Sequence, residues 1–175
     1  GEQHGHMIAV GFDLYCQMLQ ENIQALQGKI VEHETDSIVD LNVTAFIPDD
    51  WMTDKNLKLT EYKRLADIKT QRALEIIISE WEDRFGDLPE PTRKLTHLVQ
   101  LRILATSLGI PVIREDDSEM RITIPYNLQE WLAIQAKLPH GIGRRFRWVA
   151  PVASKQGSLP VLLHPLGVMS GEDQV

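Results

Sequence analysis

The sequence predicts an α+β fold: helices packed against a small mixed or antiparallel sheet, preceded by a long N-terminal helix. Apolar residues keep helical spacing through most of the first two thirds, one segment switches abruptly to strict alternation, and the last third is strand-rich. The clearest element is residues 70–89, TQRALEIIISEWEDRFGDLP. Leu74, Ile77, Ile78, Trp81 and Phe85 lie within about 50° of one direction at roughly 100° per residue, which marks a buried stripe. Thr70 suits the N-cap, Gly86 the stop, and Pro89 falls just beyond it.

In chain order, residues 1–6 carry His4 and His6 without supporting ligands. Residues 7–27 keep helical spacing through Met7, Val10, Leu14, Met18 and Leu26, and Gly28 ends the segment. Cys16 on this helix reads as an inert thiol, with nothing nearby to lower its pKa. Residues 29–37 are polar and read as a linker. Over residues 38–47 the period changes to two: Val39, Leu41, Val43 and Ala45 alternate with Asp40, Asn42 and Thr44, as in a half-buried strand. Pro48, Asp49 and Asp50 break it.

Residues 56–67 predict a short helix with Leu59, Tyr62, Leu65 and Ala66 inward. After the central helix, Pro91 suits the first turn of a helix over residues 91–108, with Leu95, Leu98, Val99, the stem of Arg102, Ala105 and Leu108 buried. Gly109 caps it. Residues 111–114 and 120–124 read as a hairpin around an acidic turn. Asn127 and Glu130 form a capping box for a helix through Leu138, with Leu128, Trp131 and Leu132 apolar. Residues 144–149 alternate Arg145 and Arg147 against Phe146 and Trp148 as an amphipathic strand would. Residues 161–163 suit a last short strand, and residues 170–175 a frayed tail.

Composition limits the function classes. The chain has 175 residues, 43% hydrophobic and 25% charged, enough for one domain plus an extra element. A net charge of −7 disfavours non-specific binding to nucleic acid or anionic membrane. One cysteine excludes an intramolecular disulfide and suits a reducing compartment. Neither a membrane span nor a signal peptide is visible, so the expected location is the cytoplasm. No phosphate-binding glycine loop, nucleophile elbow or metal-spaced histidine pair occurs.

The outer face of the central helix is less ordinary. Ile76, Glu80, Asp83 and Asp87 line up opposite the buried stripe, giving an acidic row with one isoleucine in it. The pattern admits a solvated helix face, or a docking surface for a basic partner protein. Two rival readings stand beside it. The Glu80/Asp83 cluster could serve a metal-dependent hydrolase, although no third ligand is in register. Arg144, Arg145 and Arg147 could contact DNA phosphates.

Three stretches then narrow the choice. GEQHGHMIAVGFDLYCQML, VDLNVTAFIPDDWMTDKNLKLTEYKRLAD and SEWEDRFGDLPEP resemble, in order and spacing, the C-terminal part of the bacterial transcription-repair coupling factor (Mfd) family. The specific elements are Ile-Pro-Asp-Asp, Tyr-Lys-Arg-Leu-Ala and Asp-Arg-Phe-Gly-x-Leu-Pro. Beyond Gly109 only the general layout matches. Trp51-Met52-Thr53 departs from the more usual Ile-Pro after an aromatic residue. That family is a multidomain ATPase that displaces stalled RNA polymerase and recruits nucleotide-excision-repair proteins.

The resemblance implies three segments. Residues 1–28 would be the tail of a DNA-translocating motor with a connecting helix, 29–37 a linker, and 38–175 a non-catalytic C-terminal regulatory domain. Gln3, in Glu2-Gln3-x-Gly5, resembles the end of the family's translocation motif. The resemblance implies no cofactor for this chain, ATP and Mg belonging to the motor. It also implies docking through Glu80 and Asp83, flanked by Ile76 and Asp87, on a UvrB-like N-terminal module of the same protein. That contact would hold the protein autoinhibited and mask the surface that binds UvrA.

Overall fold

Side-chain caps begin three of the described helices, and glycine stops end two. The computed structural model describes residues 36–116 and 119–166. The expected helix over residues 7–27 with Cys16 and Gly28, together with Gln3, His4, His6, most of the linker and the 170–175 tail, lies outside the described residues. The element order is β1 (Ile38–Asp40), α1 (Lys55–Asp67), α2 (Gln71–Phe85), α3 (Glu90–Ser107), β2 (Val112–Glu115), β3 (Glu119–Thr123), α4 (Leu128–Lys137), α5 (His140–Gly143), β4 (Arg147–Val149) and β5 (Val161–Pro165). This is the expected α+β class with a mixed sheet. Two units are distinguished: Asn42–Leu104 with Asp36, and Ser37–Leu41 with residues 105–166. Among the described residues no helix is long and apolar enough to cross a membrane.

The first unit is built from helices. Asp54 caps α1 by accepting from the Asn56 and Leu57 N–H groups at 2.9 and 3.2 Å, and Thr70 caps α2 by accepting from Ala73 N–H at 3.1 Å. Gly86 ends α2 at φ +86°, a left-handed conformation that glycine adopts without steric cost. The core holds Ala45, Ile47, Met52, Leu65, Leu74, Ile77, Trp81, Leu95 and Val99. Trp81 meets the ring of Trp51 edge to face at 6.0 Å, and Trp51 in turn packs on half-buried Phe85. The guanidinium of Arg102 donates to the carbonyls of Leu65 and Ile68 at 2.6 and 3.2 Å, satisfying acceptors at the end of α1.

Two expectations about this unit are corrected. The strand predicted over residues 38–47 is a strand only through Asp40. Beyond it the chain has no regular secondary structure and bonds to helical residues: Ile47 N–H donates to the Tyr62 hydroxyl at 2.7 Å and Phe46 N–H to the Pro91 carbonyl at 3.2 Å. The alternation is real, since Ala45 and Ile47 are buried, but it records packing on helices and not a ladder. Leu59, expected inward, is exposed. The buried residues of α1 are Glu61, Leu65 and Ala66, and position 59 lies about 200° around the helix from 61.

The second unit holds the sheet, in the order β1-β2-β3-β5-β4, with β1 parallel to β2 and every other pair antiparallel. Its start is tied to the end of α3. Ser37 N–H donates to Thr106 Oγ1 at 2.9 Å, the Ser37 hydroxyl donates to the Ile110 carbonyl, and Ile38 N–H donates to the Pro111 carbonyl at 2.9 Å. Gly109, at φ +70°, and Ile110 return N–H groups to Thr106 and Ala105 at 3.1 and 2.9 Å, a Schellman closure of the helix. Asn127 caps α4 by accepting from Glu130 N–H at 2.9 Å, as expected. The core of this unit joins Ile124, Trp131 and Leu162, with Ile122, Phe146 and Trp148 against them.

Leu108 is exposed, contrary to expectation, and the apolar Leu128 and Leu132 are exposed too. Leu108 falls in the capping turn past α3, whereas Trp131, Ile134 and Leu138 form the inward stripe of α4, which leaves Leu128 and Leu132 on a neighbouring face. The strand expected over residues 144–149 begins only at Arg147, because Arg144 and Arg145 belong to the turn that ends α5.

These placements separate core from surface on α2. Trp81→Ala is expected to cost about 3–5 kcal/mol, and Ile76→Ala less than about 1 kcal/mol. Urea unfolding of both variants checks this; equal midpoints would mean that α2 is rotated about its axis and buries a different face.

Candidate functional site

α2 carries the acidic row on the side opposite Leu74, Ile77 and Trp81. Ile76 is 45% exposed, and Glu80 and Asp83 are exposed one and two turns further along. Asp87 is exposed too, but it follows Gly86 and so stands beyond the helix, not in line on it. The positive φ of Gly86 turns the chain there. The helical part of the row is therefore Ile76, Glu80 and Asp83. Glu80 and Asp83 are three residues apart, which places their Cβ atoms about 5–6 Å from each other on one face.

Glu80 is held by α1. Arg64 Nη2 donates to Glu80 Oε2 at 2.9 Å, while Nη1 donates to both oxygens of Glu61 at 2.9 and 3.2 Å. Glu61 is buried, and its Oε2 also accepts the Trp81 indole N–H at 2.8 Å. A single hydrogen-bonded chain thus runs from Trp81 in the core through Glu61 and Arg64 to Glu80 on the surface. Burial works against the charge of Arg64, but the hydrogen bonds to Glu80 and Glu61 outweigh it and raise the guanidinium above its ordinary value. Among the described residues Asp83 and Asp87 form no ion pair.

The arrangement can do one thing well chemically. It offers a cation one carboxylate fixed in direction, a second one turn away, and an exposed isoleucine beside them. A divalent metal is a poorer fit, because it needs several oxygen ligands together and Arg64 already holds one oxygen of Glu80. Among the described residues no three His, Cys, Asp or Glu side chains form a group that could hold a metal ion. Arg144, Arg145 and Arg147 are exposed but are not brought into one row, since the first two sit in a turn and only the third on β4.

Sequence reasoning missed Glu61 and Arg64. A signal was present: Glu61 sits midway between Leu57 and Leu65 at four-residue spacing, inside the apolar stripe, and Arg64 follows it by three. A carboxylate in that position needs a buried donor, and the sequence could not say that the donor is Trp81, twenty residues on.

The TRCF domain family model matches residues 41–131, which contain α1, α2, α3 and the whole of the row. The chain is 39% identical over 116 residues to the transcription-repair-coupling factor of Escherichia coli (strain K12), a match covering 62% of this chain and 10% of that protein. It is 37% identical over 120 residues to that of Mycobacterium tuberculosis (strain CDC 1551 / Oshkosh), covering 62% and 10%. It is 32% identical over 126 residues to that of Staphylococcus haemolyticus (strain JCSC1435), covering 70% and 11%. These matches span about a tenth of the length of each relative. In three dimensions the chain is similar to a crystal structure of the C-terminal domain of transcription-repair coupling factor, with a TM-score of 0.60 and 15% identity over 79% of this chain and 84% of that one, a likeness of fold alone.

The hydrogen-bonded chain assigns unequal weights to its two carboxylates. Glu61→Ala leaves the Trp81 N–H without an acceptor in the core and is expected to cost about 2–3 kcal/mol. Glu80→Ala leaves Arg64 its bonds to Glu61 and should cost less than about 1 kcal/mol. Urea titration followed by tryptophan fluorescence measures both; a Glu80 variant as unstable as the Glu61 variant would make the surface carboxylate structural.

Proposed function

This chain belongs to the TRCF domain family of transcription-repair-coupling factors, and from that premise we propose that residues 38–175 form a non-catalytic regulatory domain that clamps the full protein shut. In this reading the exposed face of α2 docks on the UvrB-like N-terminal module of the same protein. Docking masks the surface that UvrA binds and restrains the ATP-driven DNA translocase, so UvrA and RNA polymerase are partners of the whole protein rather than of this domain. ATP and Mg act in the motor, and residues 1–28, with Gln3, would be its tail.

The observation that carries the reading is the exposed set Ile76, Glu80 and Asp83 on a helix whose other side is core. Arg64 supports it by fixing Glu80 before any partner arrives, which lowers the ordering cost of docking. A tethered domain meets its partner at an effective concentration on the order of millimolar, so a modest intrinsic contact keeps the clamp mostly closed. Exposed charge pairs contribute only about 0.2–1 kcal/mol each. Pairs desolvated beside Ile76 can instead lose about 2–5 kcal/mol when one partner is truncated.

A Glu80→Ala/Asp83→Ala double variant of the full-length protein should open the clamp about a hundredfold or more, read as gained UvrA binding and faster ATP turnover. Unchanged UvrA affinity would defeat the clamp reading. The 175-residue chain by itself should hydrolyse no ATP, and measured turnover in a pure preparation would overturn the non-catalytic assignment.

A further inference from the structure

The strand register of the second unit assembles a feature that no stretch of sequence displays. Arg114 on β2 lies directly opposite Arg121 on β3, Arg121 opposite Leu163 on β5, and Leu163 opposite Arg147 on β4. Residues in register share a face of the sheet, so Arg114, Arg121, Leu163 and Arg147 form one row across four strands. Asp40 on β1 extends the row at one end, opposite Arg114. The residues one position along, Ile113, Ile122, Leu162 and Trp148, point to the other face, where Ile122, Leu162 and Trp148 join the core with Trp131. The three arginines therefore lie on the face away from that core and are exposed, while Leu163 between Arg121 and Arg147 is buried, at 7% exposure.

None of the three makes an ion pair among the described residues. Like charges directly opposite one another destabilise a strand pair, and Arg114 faces Arg121. Beside the row, two residues along each strand, Val112, Thr123, Val161 and Val149 form a parallel, half-exposed and largely apolar line. We propose that this face docks an acidic amphipathic helix of a partner protein.

Charge and spacing select that occupant. Arginine forks match carboxylates bidentately, and an anionic partner relieves the repulsion between Arg114 and Arg121. Adjacent strands are about 4.8 Å apart, so the row spans about 14 Å from β2 to β4, the rise of about ten helical residues. Carboxylates at positions i and i+3 of the incoming helix meet Arg114 and Arg121, a carboxylate at i+10 meets Arg147, and an apolar residue at i+7 lies against half-exposed Val161 and Val149. Nucleic acid fits less well. Sheet faces that read single strands stack bases on aromatic rings, and here Trp148 and Phe146 pack into the core on the opposite side.

The test titrates the 175-residue chain with a fluorescent helical peptide bearing Glu at i, i+3 and i+10 and Leu at i+7, and with its Gln counterpart. The Glu peptide should bind at least about tenfold more tightly, and the difference should shrink as salt rises. Arg121→Gln and Arg147→Gln should each weaken the Glu peptide about fivefold, whereas Arg144→Gln, off the row, should not. Loss of fold cannot mimic this result, because Arg121→Thr removes the like-charge contact and should raise the thermal midpoint while weakening the peptide. Equal binding of the two peptides, or row variants that leave the affinity unchanged, would overturn the proposal. So would a single-stranded oligonucleotide that displaces the peptide through the same arginines.

Discussion

A buried carboxylate must find donors or be expelled, and Glu61 is where that requirement organises the helical unit. Its two oxygens take the Trp81 indole N–H and one arm of Arg64. Satisfying them fixes how α1 and α2 slide against each other, because Trp81 must be both inside the apolar core and within reach of Glu61. The second arm of Arg64 is then already aimed, and it meets Glu80. A core requirement thereby orders a surface side chain. Replacing Glu61 by an apolar residue of like size would leave Arg64 without its inner partner, which is why this polar island and the acidic face are physically one system.

Local chemistry in this chain is legible because its causes lie within a few residues. Thr70, Gly86, Gly109 and Asn127 each act as expected, since a cap is a bond across three or four positions. The stripe of Leu74, Ile77 and Trp81 is equally readable from its period. Features that depend on a distant partner are not. Alternation over residues 38–47 signals one buried side but cannot say whether the covering surface is a strand or a helix, and past Asp40 it is helix. Leu59 is misplaced because Glu61, as a polar residue, has no place in an apolar stripe, and the inferred face of α1 turns accordingly.

The candidate site divides in the same way. Ile76, Glu80 and Asp83 can be read off a helical wheel, and they are exposed as that wheel requires. Asp87 cannot, because the wheel continues through Gly86 while the helix does not. The arginine row on the sheet is beyond reach altogether. Arg114, Arg121 and Arg147 sit in three separate segments, and only the order β1-β2-β3-β5-β4 and its register put them side by side. The basic stretch ending in Arg147 stands out for its local density, whereas only one member of it matters to the row.

The tie between Ser37 and the end of α3 has a consequence for how this chain acquires its structure. Ser37 bonds to Thr106 and Ile110 across separations of 69 and 73 residues, and β1 pairs in parallel with β2. A contact of that span closes a long loop, and its entropy must be met before the pairing returns anything. The helices of Asn42–Leu104 are joined across shorter separations, 3 residues from Arg64 to Glu61, 20 from Trp81 to Glu61 and 37 from Arg102 to Leu65. During synthesis β1 leaves the ribosome long before β2 exists, so it waits while the helical unit forms from the residues made after it. The first strand of the sheet to be made is thus among the last to find its place.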